Sequence, residues 1–474
     1  MRELILCPAF SLANFLGENT FEVAVISWFT VVALVIIMIY LWHNFDKRVH
    51  QLNYTDAVTG QPNYANFRMK ASHLLSKNGG EKYALIYINF QDFKFLNDNF
   101  GHVVGDKLLK CLNTTIINHC ATGEQVARVS SDQFAYLAKA RSSEAIDKRM
   151  KFIYEGFKEA GFSSEILRNI ILRTGVYYLF DDDNIDTATD NALYAMNSLP
   201  SVRKNSIAYF DGNMQQKLLW EQQLEKDKDL GLADEQFALY VQPKYDIETG
   251  EICGGEALCR WNHPSKGLLQ PGQFIPYFER TGFVAKVDLQ IFEKLVSGTK
   301  KLLDQGVEPK IVSCNYSRRQ LEDKDSPEKY ARILQKYGVS PSYFEIELTE
   351  EGAISNMETV QYHAKRLKEI GFRMALDDFG SGYSSIQLLY QLPVDVVKFD
   401  KSIIDEITNI PLEKDIYQSL INITKKYDMK VIWEGVEHQS QVDYIAELGG
   451  RYIQGYLFGK PMTYEQFVRA VYHI

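Results

Sequence analysis

Along the C-terminal half of the sequence, one apolar, strand-like segment after another ends in a carboxylate, an amide or a lysine: Glu256, Asn315, Glu347, Asp377 with Asp378, Lys398 and Glu434. From Asn315 onward the steps are roughly 20 to 36 residues, about one strand plus one helix. Each polar residue closes a stretch where a packed core would reject it. Eight strands are expected: Phe237–Tyr245, Ile252–Trp261, Lys310–Tyr316, Tyr343–Leu348, Arg373–Asp378, Asp395–Phe399, Lys430–Glu434 and Tyr452–Phe458. Amphipathic helical stretches separate most of them, such as Glu358–Ile370, which Gly371 stops. The pattern predicts an α/β fold, a closed TIM-like (β/α)8 barrel whose strand carboxyl ends converge on one mouth. The first two strands are joined only by Asp246–Glu251, with Glu248-Thr249-Gly250 as a hairpin-like turn. One barrel strand must therefore run antiparallel.

A mouth lined by carboxylates, an amide and a lysine suits a hard divalent cation, Mg²⁺ or Mn²⁺, because these choose carboxylate and carbonyl oxygens. Without metal, so many carboxylates repel one another unless raised pKa values compensate. Two ions sharing a bridging carboxylate would stabilise both the entering and the leaving oxygen of a displacement at phosphorus, and the adjacent Asp377 and Asp378 suit that arrangement. Lys398 could orient or deprotonate a water, or neutralise developing charge. The glycine-rich segment Phe379–Ser385 reads as a mobile loop over the site. Taken one at a time, each residue fits a structural ion-pair network equally well, but the ordered series at strand ends argues for chemistry.

The 474 residues suffice for two or three domains, and a net charge of −9 argues against general nucleic-acid binding, so neither DNA nor RNA is expected as a partner. Cys7, Cys111, Cys120, Cys253, Cys259 and Cys314 show no metal spacing and read as reduced thiols of a reducing compartment. Residues 23–42 contain no charge, are rich in Val and Ile, end in Tyr40 and Trp42, and precede Lys47 and Arg48. They read as one transmembrane helix with the bulk of the chain cytoplasmic, a single-pass membrane anchor. Residues 1–22 are then a short extracytoplasmic segment, too short for a folded sensor, and 43–53 a linker. An α/β segment, 54–212, contains the strand Tyr83–Phe90, a helix beginning near Gly105, and further strands at Val126–Val129, Phe134–Leu137 and Ile170–Tyr178. A helix-prone stretch, Asn213–Leu232, leads into the barrel segment, 213–474.

The barrel motifs are Glu256-Ala257-Leu258-Cys259-Arg260-Trp261, Asn315-Tyr316-Ser317, Glu347-Leu348-Thr349-Glu350, Asp377-Asp378-Phe379-Gly380, Lys398-Phe399-Asp400, Glu434-Gly435-Val436-Glu437 and Gln454-Gly455-Tyr456. With them, the segment from about Asn213 resembles the EAL-domain cyclic di-GMP phosphodiesterases. The resemblance implies Glu256, Asn315, Glu347, Asp377 and Glu434 as metal ligands, with Asp378 on the second of two ions. It implies Lys398 at the catalytic water, Glu350 bracing the loop after Asp378, and Glu437 as structural support. Gln242 and Arg260 match substrate contacts, and Gln454 is grouped with them. No catalytic position is lost, and Cys259 and Ser381 are mild substitutions. The implied activity is hydrolysis of cyclic di-GMP to linear 5′-pGpG.

Residues 54 to 211 resemble the GGDEF diguanylate cyclase domain through Asp56-Ala57-Val58-Thr59-Gly60, Phe93–Asp98, Gly101–Asp106 and Ala192-Leu193-Tyr194. The signature hairpin reads Ser130-Ser131-Asp132-Gln133-Phe134, so a side chain stands where backbone must approach a nucleotide. Gln133 replaces an acidic residue, and Asn89 stands at a metal-binding Asp position. Asn197 replaces a phosphate-contacting Lys, while Ala121 and Glu124 replace the inhibitory Arg-x-x-Asp motif. These losses imply a degenerate domain without cyclase activity. Asn97 and Asp106 survive at guanine-contact positions. Two roles stay open, loose GTP binding that regulates the barrel, and a structural or dimerisation element. The leading expectation is a membrane-anchored phosphodiesterase. A non-hydrolysing cyclic di-GMP receptor and a scaffold are the alternatives, and the resemblance also implies a homodimer.

Overall fold

The computed structural model describes residues 18–200, 204–350, 352, 357–380, 386–407 and 411–473. The chain divides into two compact units, Met1–Leu218 and Leu219–Ile474.

The first unit begins with one helix, Glu18–Tyr54. No Gly or Pro interrupts this stretch, so the expected linker 43–53 continues the helix that contains 23–42. Its section Val25–Phe45 is long and apolar enough to cross a membrane, and side chains such as Trp28, Ile36 and Trp42 stand exposed. A five-stranded sheet follows, built from β1 (Ala84–Phe90), β2 (Gln125–Ser130), β3 (Gln133–Ala138), β4 (Leu172–Tyr178) and β5 (Ser206–Tyr209) in the order β2-β3-β1-β4-β5. The helix placed near Gly105 is His102–His119, starting three residues earlier because the left-handed Gly101 (φ 85°) breaks the preceding helix. Residues 201–203 lie outside the described residues.

The second unit is the barrel. Its strands are β6 (Phe237–Asp246), β7 (Glu251–His263), β8 (Gly267–Leu269), β9 (Ile311–Asn315), β10 (Phe344–Thr349), β11 (Arg373–Phe379), β12 (Val396–Phe399), β13 (Lys430–Trp433), β14 (Tyr452–Gln454) and β15 (Met462–Thr463). Pairing in the order β6-β14-β13-β12-β11-β10-β9-β7 closes on the β6–β7 hairpin, giving eight strands. β6 is antiparallel to both neighbours and the rest are parallel, so the reversed strand expected from the hairpin turn is present. The last strand is shorter than the expected Tyr452–Phe458. It stops at Gln454 because Gly455 runs against the Val436 backbone, where an added Cβ would lie 2.1 Å from a carbonyl oxygen. β8 and β15 are short additions outside the eight.

Strand alternation sorts the barrel into two faces. Outward residues such as Val312, Phe344, Ile346, Leu376, Val397, Phe399 and Trp433 pack into one core with the surrounding helices. Buried aromatics of that core, among them Phe237, Trp261, Phe274, Phe278 and Phe292, each contribute about 1.5–3 kcal/mol on removal from water. Inward, Ala375, Val396 and Ile432, with Tyr452 against them, form a small separate plug. This plug underlies the site.

Candidate active site

Two residues beyond each plug residue, the same inward face carries Asp377, Lys398, Glu434 and Gln454. From the other half of the barrel come Glu256, Asn315 and Glu347, with Asn315 in register opposite Glu347 on β9 and β10. The converging groups meet on one ammonium. Lys398 Nζ lies 2.8 Å from Glu434 Oε1, 2.9 Å from Glu347 Oε2, 3.0 Å from Asp377 Oδ1 and 3.4 Å from Glu256 Oε2. Glu256 is also held by Gln454 Nε2 at 2.6 Å and Asn315 Nδ2 at 3.4 Å, and Gln242 Oε1 accepts from Gln454 Nε2 at 3.3 Å.

Two successive strand residues normally face opposite ways, yet Asp377, Asp378 and Glu434 offer carboxylate oxygens all within 4.8 Å of one another. The backbone explains this. The β11–β12 register shifts between Leu376 and Phe379, and Asp378 sits at φ 56° in the left-handed region. Asp378 N–H donates to Asp377 Oδ1 at 2.9 Å, which fixes the kink. A non-glycine residue there stores strain on the order of 1 kcal/mol, retained where function needs the geometry. Replacing it should therefore stabilise the fold. Asp378→Gly is expected to raise the melting temperature of the metal-free protein, and Asp378→Asn, which keeps the strain, to raise it less. Equal melting of Asp378→Gly and the native chain would contradict the strain argument.

The electrostatics follow from burial and from which charges face each carboxylate. Glu434 is pushed up to about 8, first by burial and then by Asp377, Glu256 and Glu347. Burial likewise raises Glu256, Asp377 and Asp378, with neighbouring carboxylates adding to the shift. Glu347 goes the other way. Burial opposes its ionisation, but the ammoniums of Lys398 and Lys244 outweigh that and hold it down at about 2. Burial disfavours the Lys398 ammonium, yet the surrounding carboxylates raise its pKa well above the ordinary lysine value. Six clustered carboxylates, Glu256, Glu345, Glu347, Asp377, Asp378 and Glu434, face the ammoniums of Lys244 and Lys398. The donor set is hard oxygen with unbalanced negative charge, which fits a divalent cation of the Mg²⁺ or Mn²⁺ kind.

Other expected site residues have partners besides these. Arg260 is buried, donates to the Cys259 carbonyl at 2.9 Å, and rests 5.5 Å from the Tyr240 ring centre. Glu437 is exposed and pairs with Lys401 at 2.7 Å. Glu350 Oε2 accepts from Gly380 N–H at 3.3 Å, at the start of the expected loop, whose residues Ser381–Ser385 lie outside the described residues. Sequence reading missed the second ammonium, Lys244, although Gln242-Pro243-Lys244 and Glu345-Ile346-Glu347 put polar or charged groups at inward period-two positions. A cavity of about 710 Å³ adjoins the cluster through Asn315 and is lined by Asp288, Ser317 and Arg318 among others. Burial pushes Asp288 up to about 7.

Residues 222–461 match the family model of the EAL domain, about half of the chain. The chain belongs to the EAL-domain family. Residues 53–206 match the diguanylate cyclase GGDEF domain, so the two occur in tandem. Over 430 residues the chain is 29% identical to the cyclic di-GMP phosphodiesterase NbdA of Pseudomonas aeruginosa, covering 89% of this chain and 55% of that one. It is 27% identical over 432 residues to the bifunctional diguanylate cyclase/cyclic di-GMP phosphodiesterase MucR of the same organism, covering 90% and 63%. The chain thus spans little more than half the length of these curated relatives. The solved S helix-GGDEF-EAL structure of Vibrio cholerae LapD, bound to c-di-GMP, shares the fold, with a TM-score of 0.54, 16% identity, and coverage of 88% of this chain and 99% of that one.

In the GGDEF unit, Asn89 and Gln133 are direct partners across the β1–β3 ladder. Gln133 Oε1 accepts from Tyr87 Oη at 2.9 Å and Ser130 Oγ at 3.2 Å. Ser131 holds φ 45°, the left-handed turn conformation that glycine adopts more readily. A cavity of about 580 Å³ is lined by Asn89, Lys94, Asn97 and Ser131 among others. The amide oxygens of Asn89 and Asn97 are buried without a hydrogen-bond partner. Asp106 does not line this cavity. Glu124 is buried and accepts from the Ala121 and Lys139 amides, Tyr136 Oη and both terminal nitrogens of Arg149, a structural use of that position.

Proposed function

We propose that the chain is a membrane-anchored cyclic di-GMP phosphodiesterase that opens its substrate to linear 5′-pGpG. The observation that carries the reading is the convergence of four carboxylates on Lys398 at one barrel mouth, beside a cavity that Asn315 joins to it. Glu256, Asn315, Glu347, Asp377 and Glu434 would hold one divalent ion and Asp378 a second. Once fully ionised, the six carboxylates and two ammoniums carry four excess negative charges, equal to the charge of two such ions. When bound, the ions supply Lewis acidity and lower the pKa of water.

The chain's own groups set up the displacement. Lys398, held as an ammonium by its carboxylates, orients the attacking water and balances charge as it builds on the phosphate. The water oxygen bonds to phosphorus and gives up a proton as the bond to O3′ breaks, and O3′ takes up one proton, so that the elements of one water are added across the P–O3′ bond. Gln454 and Gln242 fix Glu256 so that its oxygens stay aimed into the mouth. Glu350 anchors the loop at Gly380, and the Glu437–Lys401 pair ties down the segment after Glu434. Arg260 serves the substrate once it turns from Tyr240. The apolar helix anchors the chain through residues 23–42, with both domains cytoplasmic. The GGDEF unit makes no cyclic dinucleotide, and it serves as a structural or dimerisation element or as a loose GTP site.

Incubating the full chain with cyclic di-GMP and Mn²⁺ should yield pGpG on chromatography, and Glu256→Ala should lower the rate by at least about 10²-fold. Binding without product would replace the enzyme by a receptor. An unchanged rate with GTP, and no GTP binding, would leave the GGDEF unit a structural role.

A further inference from the structure

The lower barrel interior is not uniform. Beneath Asp377, Lys398 and Glu434 lie the apolar Ala375, Val396 and Ile432. Beneath Glu347 and Asn315, two residues earlier on their strands, lie Glu345 and Ser313, and Lys244 reaches into that layer from the reversed strand β6. Lys244 Nζ lies 2.8 Å from Ser313 Oγ, 3.1 Å from Glu345 Oε1 and 3.2 Å from Glu347 Oε1. All three partners are buried. Gly254, paired with Lys244, leaves no side chain in this corner, and an added Cβ would lie 2.6 Å from the Ile311 carbonyl.

A buried lysine between two glutamates contributes little net stability compared with apolar residues of the same volume, and the other half of the same layer is apolar. Its geometry separates the two oxygens of Glu347. Oε1 is taken from below by Lys244, while Oε2 faces the mouth at 2.9 Å from Lys398. We propose that Lys244 is a positioning residue of the metal site, pinning Glu347 through Oε1 so that Oε2 alone serves as a ligand. This rests on the reading of the mouth as a metal-dependent phosphodiester site. Groups of this kind behind a ligand typically govern metal affinity by 10 to 100-fold. The competing account makes Lys244 merely the counter-ion of Glu345.

The two accounts separate in a Mn²⁺ titration of the full chain followed by electron paramagnetic resonance. Lys244→Met should weaken Mn²⁺ binding by about 10 to 100-fold, and Glu345→Gln should stay within about threefold of the native chain. The double variant Lys244→Met/Glu345→Gln removes both buried charges and is the one expected to fold if the single variant does not. It should bind Mn²⁺ as weakly as Lys244→Met. Near-native affinity in the double variant overturns the proposal, since Lys244 would then only have neutralised Glu345. A native chain that binds no Mn²⁺ overturns it as well. Mn²⁺ binding without hydrolysis of cyclic di-GMP would sink the phosphodiesterase reading and leave the role of Lys244 intact.

Discussion

Replacing Lys398 with methionine is expected to lower turnover by about 10³-fold and to leave a metal-free barrel that melts far below the native one. The size follows from what the ammonium holds together. Four carboxylates lie within 3.4 Å of its nitrogen, and its side chain is 1% exposed. Methionine fills similar volume but leaves those carboxylates facing one another, and breaking a buried pair in this way costs roughly 3–5 kcal/mol. Protonation will relieve part of that, so the deficit should grow with pH. Divalent cations can replace the missing charge, so Mg²⁺ should recover more of the melting temperature in Lys398→Met than in the native chain. Turnover should not recover with it, because in the proposed mechanism the ammonium also orients the water. Fluorescence melts with and without Mg²⁺, beside single-turnover assays, decide the matter. Turnover within tenfold of native would remove Lys398 from the chemistry. Unchanged melting would mean that the carboxylates do not depend on it.

Much of this site was legible because strand periodicity is a strong signal. An acidic residue ending an apolar run has few explanations, and the series Asn315, Glu347, Asp377, Lys398, Glu434 gave both the barrel and its mouth. The reversed strand followed from the short Asp246–Glu251 connection alone. Lys244 was hidden by the same rule that revealed the others. It sits inside a strand rather than at its end, and on β6, which enters the barrel in the opposite sense. The kink at Asp378 was also out of reach, since the side-by-side Asp377 and Asp378 depend on one positive φ and a shifted register. The position of Arg260 depends on a rotamer over Tyr240, which no spacing encodes. In the first unit, the hairpin substitutions Ser131 and Gln133 were plain in the sequence, whereas the pairing of Asn89 with Gln133 needed the strand register.

The metal-free barrel should lose stability as pH rises from about 5 to 8, the reverse of ordinary acid sensitivity. Glu434 is about 8 in the fold and near 4.5 when unfolded, so over that window the folded state keeps a proton that the unfolded state has released. Where the folded state binds more protons, raising the pH favours unfolding, by about 1.4 kcal/mol per unit for one group. The cluster that contains Glu434 then loses on the order of a few kcal/mol by pH 8, after which the Glu434 contribution levels off. The raised carboxyls of Glu256, Asp377 and Asp378 act in the same direction, and Asp288, at about 7, adds a part unconnected with metal. Glu347, held at about 2, works oppositely, but its contribution is lost only as pH falls from 4.5 toward 2. Tryptophan fluorescence separates the barrel from the GGDEF unit, because Trp220, Trp261 and Trp433 lie in the barrel, residues 54–212 contain none, and the other two, Trp28 and Trp42, are in the apolar helix. Chelated full-length protein should melt lower at pH 8 than at pH 5.5. Saturating Mg²⁺ should flatten or invert the slope, since the ion binds the deprotonated cluster and stabilises only the folded state. A metal-free melting temperature that stays level or rises across this range would show that the carboxylates are not held together against their own charge.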